Sequence, residues 1–380
     1  MTELLKGIRV LDMSRVLAGP LCGMTLGDLG ADVIKVERPG LGDESRQWGP
    51  PFDERGESAY YLSTNRNKLG IALNLEVADD VALLRQLIAG ADVVLENFKS
   101  ETLTKAKLDR DEMLAAHPHL VWLTLTGFGL DNPRLGYDLV VQAESGWMAI
   151  TGDPTGEPMK VGVALADVIA GKDAALSIMA SLVARERSRE ALPVSARRLH
   201  VSLAHSAVAA LVNVAQNVLV SGNEARRFGN AHPNLVPYQA FKARDGYIVI
   251  GVGNDRQWDS CCVALELSEL GADKQLATNS GRLANRERVT SAIASRVAER
   301  DAGEWLGRLS KAGVPAGRVR AVSQALPDVA HSALTGIAPS VPGTVRFPPP
   351  KLDEHGSEIR RSGWAVFDDK GDRTIGGYEG

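Results

Sequence analysis

The feature that most constrains this chain is the alternation of short β-branched runs with segments whose apolar residues fall on one helical face. "IRVLDMS", "ADVIKVE", "ADVVLENF" and "LVWLTLTGFG" read as strands, and stretches between them such as "EVADDVALLRQLIAG" read as helices. Strand and helix in alternation imply a mostly parallel, doubly wound sheet of the α/β class. Two joints nearly repeat one another: "GADVIKVERPG" at 30–40 and "GADVVLENFKS" at 90–100 each pass from a helix-ending glycine through a strand to Glu and then a basic residue. One βα geometry is used twice, without a duplication.

After a helix expected to end near Arg189 the texture changes. "RSREALPVSARR" breaks the helical pattern, and "LHVSLAHSAVAALVNVAQNVLVSG" predicts a strand feeding one long apolar helix. "PYQAFKARDGYIVIGVGNDRQW" then sets an "RDG" turn between two strand-like runs, which predicts a hairpin. The expected layout is a large domain over 1–200, a linker helix over 201–224, a small α+β domain over 225–325, and a Pro-rich return over 326–380 that wraps the first domain.

Arg15, Arg38 and Lys99 stand just past the carboxyl ends of three predicted strands, the edge along which open α/β sheets bind ligands. A single such cation is ordinarily a solvated surface charge. Three at equivalent joints point to a multiply charged anion such as a nucleotide pyrophosphate. A net charge of −4 removes any general drive toward nucleic acid or an anionic membrane, so the expected ligand is a small molecule. No apolar run is long enough to span a bilayer, and "MTELLKGIRVLDMS" enters a strand pattern without a signal or transit segment, so the expected location is the cytoplasm. Cys22, Cys261 and Cys262 offer no paired spacing, and the histidines lack zinc-type spacing. Neither a disulfide framework nor a metal site is expected.

"AGPLCGMTLGDLG" spaces its glycines at 19, 23, 27 and 30, without the G-x-G-x-x-G that a nicotinamide cofactor requires beside an acid such as Glu37. Those spacings suit close helix packing. Neither a phosphate-cradling P-loop nor a serine-hydrolase elbow is present. One carboxylate stands out: "VGVALADVIAGKDAAL", 161–176, sets Asp167 among small apolar residues. Local pattern alone favours a helix cap for it, since Asp is preferred at helix starts. The alternative is a carboxylate kept for chemistry.

Read in order, "DMSRVLAGP", "LGADVIKVERPGLGD", "WGPPF", "YYLSTNRNK", "ENFK", "TGFG", "GYD" and "GVALAD" resemble the family III CoA-transferases, the formyl-CoA transferase and carnitine CoA-transferase group, from residue 8 to beyond 320. The resemblance implies a Rossmann-like large domain plus a smaller α+β domain in an interlocked homodimer. It implies acyl-CoA and a free carboxylic acid as substrates, with coenzyme A passed between them and no metal. "RVLAGP", "KVERPG", "NRNK" and "VPYQAF" look closest to the subgroup that moves CoA from succinyl-CoA to C4–C6 dicarboxylates such as glutarate.

On this resemblance Asp167 matches the family's catalytic aspartate, which attacks the thioester and becomes a mixed anhydride, and the helix-cap reading gives way. CoA contacts carry over to Val16, Leu17 and Ala18, to Arg38 at the nucleotide's phosphates, and to Leu73, Asn74, Leu75 and Glu76 on the adenine side. They continue with Asn97, Phe98, Lys99 and Lys105 in the next loop, and with Gly136, Tyr137 and Asp138 lining the pantetheine and the active site. Lys105 replaces a family arginine, keeping the charge without the bidentate fork. Leu135 stands where formyl-CoA transferases carry lysine. Gly251, Gly253 and Asn254 match a glycine loop over the active site, for which a plain hairpin end is the competing reading. His200 stands where relatives usually carry an aspartate. For the second carboxylate of a dicarboxylate acceptor, Arg15, Arg66 and Arg134 are the cations to consider, Arg15 being nearest the site by motif order.

Two rivals remain on sequence. α-Methylacyl-CoA racemases share the resemblance but carry "GHD" where this chain has "GYD", and the phenol of Tyr137 is a poor substitute for a histidine base. A non-catalytic acyl-CoA binding protein would have no use for Asp167 in its apolar surround.

Overall fold

Six strands form the larger sheet of this computed structural model, which describes residues 3–329, 331–332 and 334–370. They are β1 (Arg9–Asp12), β2 (Asp32–Glu37), β3 (Lys68–Ala72), β4 (Val93–Glu96), β5 (Val121–Thr126) and β6 (Arg198–Ser202). Every pairing is parallel and the order is β3-β2-β1-β4-β5-β6. From β1 the chain steps outward to β3, then returns to β4 on the other side of β1 and steps outward again. This reversal is the doubly wound arrangement, and it opens a crevice past the carboxyl ends of β1 and β4.

Both faces of the sheet are covered, which is why its strands read as near-continuous apolar runs. On one face Leu11, Ile34, Val94 and Trp122 pack with Leu84, Leu87 and Ile88 of the helix Ala78–Ala89 and with Ile359 and Trp364 near the C-terminal end of the described chain. On the other, Val10, Val33, Val93 and Leu123 meet Ala18, Cys22 and Leu26 of the helix Ala18–Asp28 and Ala166, Ala170, Ala174 and Ile178 of the helix Leu165–Arg187. These two helices touch closely: a Cβ on Gly171 would stand 2.6 Å from the Ala18 carbonyl oxygen.

Two features differ from expectation and one follows it. β3 has no counterpart in the sequence reading, because Lys68 and Gly70 interrupt its apolar run. Lys68 is fully buried in an ion pair with Asp12, and Gly70 faces the returning chain, where a Cβ would lie 3.2 Å from Pro350. The glycines of "AGPLCGMTLGDLG" give the close helix packing expected of them: Cβ atoms at 19, 23 and 27 would collide with Ser14, Asp12 and Asn67, at the ends of β1 and β3. The single long helix expected after β6 is two, Leu203–Ala209 and Asn213–Ser221, bent by 70° where Val212 takes a positive φ. No single helix among the described residues is long and apolar enough to cross a membrane.

The Pro-rich stretch runs along the outer edge of β3. Asn67 N–H donates to the Phe347 carbonyl at 2.9 Å, His355 N–H to the Gly70 carbonyl at 3.0 Å, and Ala72 N–H to the Asp353 carboxylate at 2.8 Å. An edge strand that would otherwise present unpaired backbone is thereby closed. The expected return extends to 380, and its residues 371–380 lie outside the described residues.

The chain forms two compact units: Met1–Trp147, Val161–Val220 and Leu326–Gly380 make the first, Met148–Lys160 and Ser221–Ala325 the second. In the second, β7 (Tyr238–Ala243) and β8 (Gly246–Gly251) form the expected hairpin around "RDG", and β9 (Ala316–Arg318) pairs antiparallel with β8. Trp258, Ile293, Trp305 and Leu309 from the helices Asp255–Ala264, Arg286–Val297 and Ala302–Lys311 pack with Phe241, Ile248 and Ile250 of the sheet. The fold is an α/β doubly wound unit with a smaller α+β unit.

Candidate active site

The reversal between β1 and β4 positions two loops side by side. Arg15 N–H donates to Asn97 Oδ1 at 3.0 Å, and Asn97 Nδ2 returns a 2.9 Å hydrogen bond to the Arg15 carbonyl, tying the loops across the crevice. The Arg15 guanidinium lies 6.0 Å from the centre of the Phe98 ring and pairs with Glu44 at 2.7 Å. Val16 follows with φ of 74°, its N–H held by the Asp43 carboxylate, Leu17 is the N-terminal flanking residue of the Ala18–Asp28 helix, and Ala18 opens it.

The other residues matched to CoA contacts lie along this edge. Arg38 is exposed just past β2. Leu73 is buried past β3 with its N–H on the Glu37 carbonyl, and Asn74 turns the chain by accepting the Glu76 N–H at 3.0 Å, with Leu75 between them half-buried. Lys99 and Lys105 are exposed at the two ends of the short helix Ser100–Lys105. The parallel sheet therefore brings every β1, β2, β3 and β4 candidate to one edge. Glu37 is not among them: its carboxylate is buried and grips Arg46 at 2.8 and 2.6 Å, so it is unavailable to a ribose hydroxyl.

Past β5, Gly127 and Gly136 meet backbone to backbone; a Cβ on Gly136 would lie 2.2 Å from Gly127 Cα. That contact sets Tyr137 and Asp138 at the start of the helix Asp138–Glu144. Tyr137 is half exposed, and the neighbouring Leu135 is exposed. Asp138 Oδ1 accepts the N–H groups of Ala166 at 2.9 Å and Asp167 at 3.3 Å, while Oδ2 accepts from Gln142 Nε2 at 2.6 Å. The fully buried Gln142 is fixed in turn by Val161 N–H on its Oε1 at 2.8 Å.

The helix cap is therefore Asp138, reaching across from another element, and not Asp167. Asp167 sits at the third position of the Leu165–Arg187 helix, 8% exposed. Burial, and then the charge of Asp138, push its carboxyl up to about 7. Such a carboxylate is desolvated and repelled by a neighbour, which makes it basic and nucleophilic. Acylation would remove its charge and relieve both penalties. The nearby phenol of Tyr60 is raised to about 12 by burial and by the charges of Asp167, Asp138 and Asp43, and its ring meets Trp48 edge-on at 4.9 Å. Sequence reasoning passed over Tyr60, since nothing in its spacing relates it to a helix more than a hundred residues away.

Other candidates have different employment. Arg66 is buried against Asp28 and is spent there, its guanidinium also donating to the Thr335 and Ile337 carbonyls. Arg134 lies over the Phe128 ring and pairs with Glu144. His200 shares a 2.8 Å hydrogen bond with Thr126 at the end of β5, and burial lowers its basicity. In the second unit Gly251 ends β8, Gly253 N–H donates to Gln257 Oε1 at 2.8 Å, and Asn254 caps the helix Asp255–Ala264 through the Gln257 N–H.

The family model described as CoA-transferase family III matches residues 5–356. The chain belongs to CoA-transferase family III. Among relatives of this CoA-transferase, succinyl-CoA:glutarate CoA-transferase of Mus musculus is 41% identical, over 93% of this chain and 85% of the relative. Succinate–glutarate CoA-transferase of Agrobacterium fabrum is 39% identical, over 93% and 94%. A solved CaiB/BaiF family protein from Brucella suis superimposes with a TM-score of 0.81 at 38% identity, covering 94% of this chain and 98% of that one.

Asp167→Asn gives the electrostatic test of this site. A carboxyl near 7 when folded and 3.8 when unfolded carries its burial penalty in full above pH 7 and sheds it as pH falls toward 4. The amide is expected to raise the thermal midpoint at pH 8, where it removes on the order of 3–4 kcal/mol of penalty, with the gap from the native enzyme narrowing by pH 5. Melting curves of both proteins across that range check it.

Proposed function

We propose that this CoA-transferase moves CoA from succinyl-CoA to a C4–C6 dicarboxylate such as glutarate through an anhydride on Asp167. The observation that carries the reading is the buried Asp167 carboxylate at the head of its helix, with Asp138 beside it. The names of the relatives above support the donor and acceptor. Asp167 adds to the thioester carbonyl and expels CoA thiolate, leaving a succinyl-aspartyl anhydride. The thiolate attacks the aspartyl carbonyl, which releases succinate and leaves an aspartyl-CoA thioester. The acceptor carboxylate displaces the thiolate again, and the thiolate finally takes the acceptor's acyl group and frees Asp167. Each step exchanges one activated acyl bond for another, so the protein's task is positioning and exclusion of water.

In this reading Val16, Leu17, Ala18, Arg38, Leu73, Asn74, Leu75, Glu76, Asn97, Phe98, Lys99 and Lys105 hold CoA along the sheet edge. Gly136 and Tyr137 line the pantetheine path, and Asp138 positions Asp167. By the family resemblance Gly251, Gly253 and Asn254 form the glycine loop. Arg15, at the crevice, receives the acceptor's second carboxylate in exchange for Glu44, with which it pairs at 2.7 Å. Reduced Cys22, Cys261 and Cys262 suit a cytoplasmic enzyme. A second copy completes an interlocked homodimer and covers the exposed Leu176, Val183, Val212, Leu219 and Val220.

Three measurements check this. Native enzyme trapped with hydroxylamine during turnover is expected to carry a hydroxamate at position 167, while Asp167→Ala loses acyl transfer by at least about a thousandfold and still binds CoA; unchanged turnover refutes the nucleophile. Arg15→Met is expected to raise KM for glutarate about tenfold or more while leaving monocarboxylates unaffected, and equal losses for both remove Arg15 from the acceptor site. Light scattering is expected to give twice the 40.6 kDa chain mass; a monomer at working concentration contradicts the dimer.

A further inference from the structure

Beneath the loop that carries Arg15 and Val16 lie four charged side chains with no exposure to solvent: Asp12, Lys35, Asp43 and Lys68. Their formal charges cancel. Lys35 Nζ donates to the Ser14 carbonyl at 3.0 Å and to Asp43 Oδ2 at 3.1 Å. The Asp43 carboxylate accepts the Val16 N–H at 3.1 and 3.2 Å, together with the Ser45 N–H and hydroxyl. Lys68 Nζ donates to Asp12 Oδ2, the Pro20 carbonyl and Asn65 Oδ1 at 2.8, 2.8 and 2.9 Å, and Asp12 in turn accepts from the Ser14 N–H and hydroxyl. The network therefore grips the main chain at Ser14, Val16 and Pro20, on both sides of the Val16–Ala18 turn.

Stability does not account for this arrangement, because apolar residues of similar volume usually stabilise a core as well as a buried ion pair does. The conformation it supports does. Val16 is β-branched and has φ of 74°, a region that side chains of its type almost never adopt. Strain of this kind persists only where the surroundings over-determine it, and it collects where a ligand is met. Asp43 is itself held from behind, its N–H donating to Glu37 Oε2 at 2.9 Å.

We infer that Lys35 and Asp43 are positioning residues that hold the Ser14–Leu17 backbone, before substrate arrives, in the conformation that receives acyl-CoA. This rests on the reading that Val16, Leu17 and Ala18 contact CoA. Lys35 and Asp43 are buried beneath the loop, touch no substrate in this reading, and act through Ser14 and Val16. Preorganisation of this kind lowers the cost of binding by removing the ordering step.

Hydrogen exchange on the native protein tests the inference without any variant. The Val16 amide is expected to exchange slowly in the absence of CoA; free exchange that becomes protected only when CoA is added overturns it. Variants give the second arm. Because removing one partner strands the other charge, the test is K35M/D43N, compared with V16G and with V16G/K35M/D43N, reading Kd for CoA by calorimetry and KM against kcat for succinyl-CoA. K35M/D43N is expected to weaken CoA binding about tenfold, with the loss concentrated in KM. In the V16G background, where the left-handed conformation carries no steric penalty, the same change is expected to weaken binding less than threefold. Native affinity in K35M/D43N, or an equal loss in both backgrounds, refutes the positioning role, and if K35M/D43N does not fold, the exchange measurement decides. Leu17→Glu leaves the network intact and tests the underlying reading: undiminished CoA affinity there removes the loop from the binding site, whatever the outcome at Lys35.

Discussion

Two carboxylates share the first turn of one helix, and the chemistry of the site depends on how they divide it. Asp138 takes the N–H groups of Ala166 and Asp167. The donors that ordinarily stabilise an acid at a helix start are thus spent on a neighbour. Asp167 is left buried beside a like charge, its carboxyl pushed up to about 7 by burial and by that charge. A group in that position gains by losing its charge, and the two ways to lose it are protonation and acylation. The same arrangement that makes the ionised form costly would lower the energy of an anhydride there relative to the free enzyme, which is what the proposed covalent intermediate in a nearly energy-neutral exchange requires.

Placing Asp138 there depends on backbone contacts between glycines and not on a longer side chain. Gly127 and Gly136 meet at the end of β5, and Gly171 lets the helix Leu165–Arg187 settle on Ala18. The helix that carries Asp167 is therefore tied both to the β5 loop and to the helix that follows the Val16 loop. Asp167, Asp138 and the β1 loop are registered to one rigid sheet, which is the precision that positioning catalysis requires.

Much of this was legible in the sequence. The doubly wound sheet follows from periodicity, and strands that are buried on both faces give the strongest pattern. Arg38 and Lys99 were found at strand ends without reference to any relative. β3 escaped because its buried Lys68 and the close approach of Pro350 to Gly70 are tertiary facts that interrupt an apolar run. Asp167 was visible as an oddity, but its assignment as a helix cap was the natural local reading; the true cap, Asp138, lies 29 residues earlier and is joined to it only through space. Tyr60, Arg66 and Glu37 illustrate the same limit. Their partners, Asp167, Asp28 and Arg46, are set by the fold, and charge alone does not say whether an arginine is spent or available.

Buried charge and reactive charge are handled by opposite means in this chain. Asp12, Asp43, Lys35 and Lys68 are satisfied by one another and by main-chain groups, so no charge remains over and the backbone they grip is fixed. Asp167 receives no such compensation; the charge that acts on it, that of Asp138, has the same sign. Structure and reactivity are thus separated by whether the buried ion has a partner. A substitution that gave Asp167 a cation would stabilise the ionised carboxylate, lower its basicity and weaken it as a nucleophile, whereas one that took a cation from Asp43 would leave its charge buried and uncompensated beneath the loop that Arg15 and Val16 share. The two sites lie on the same sheet edge and are damaged by opposite mutations, which is a stronger statement about the architecture than the presence of either alone.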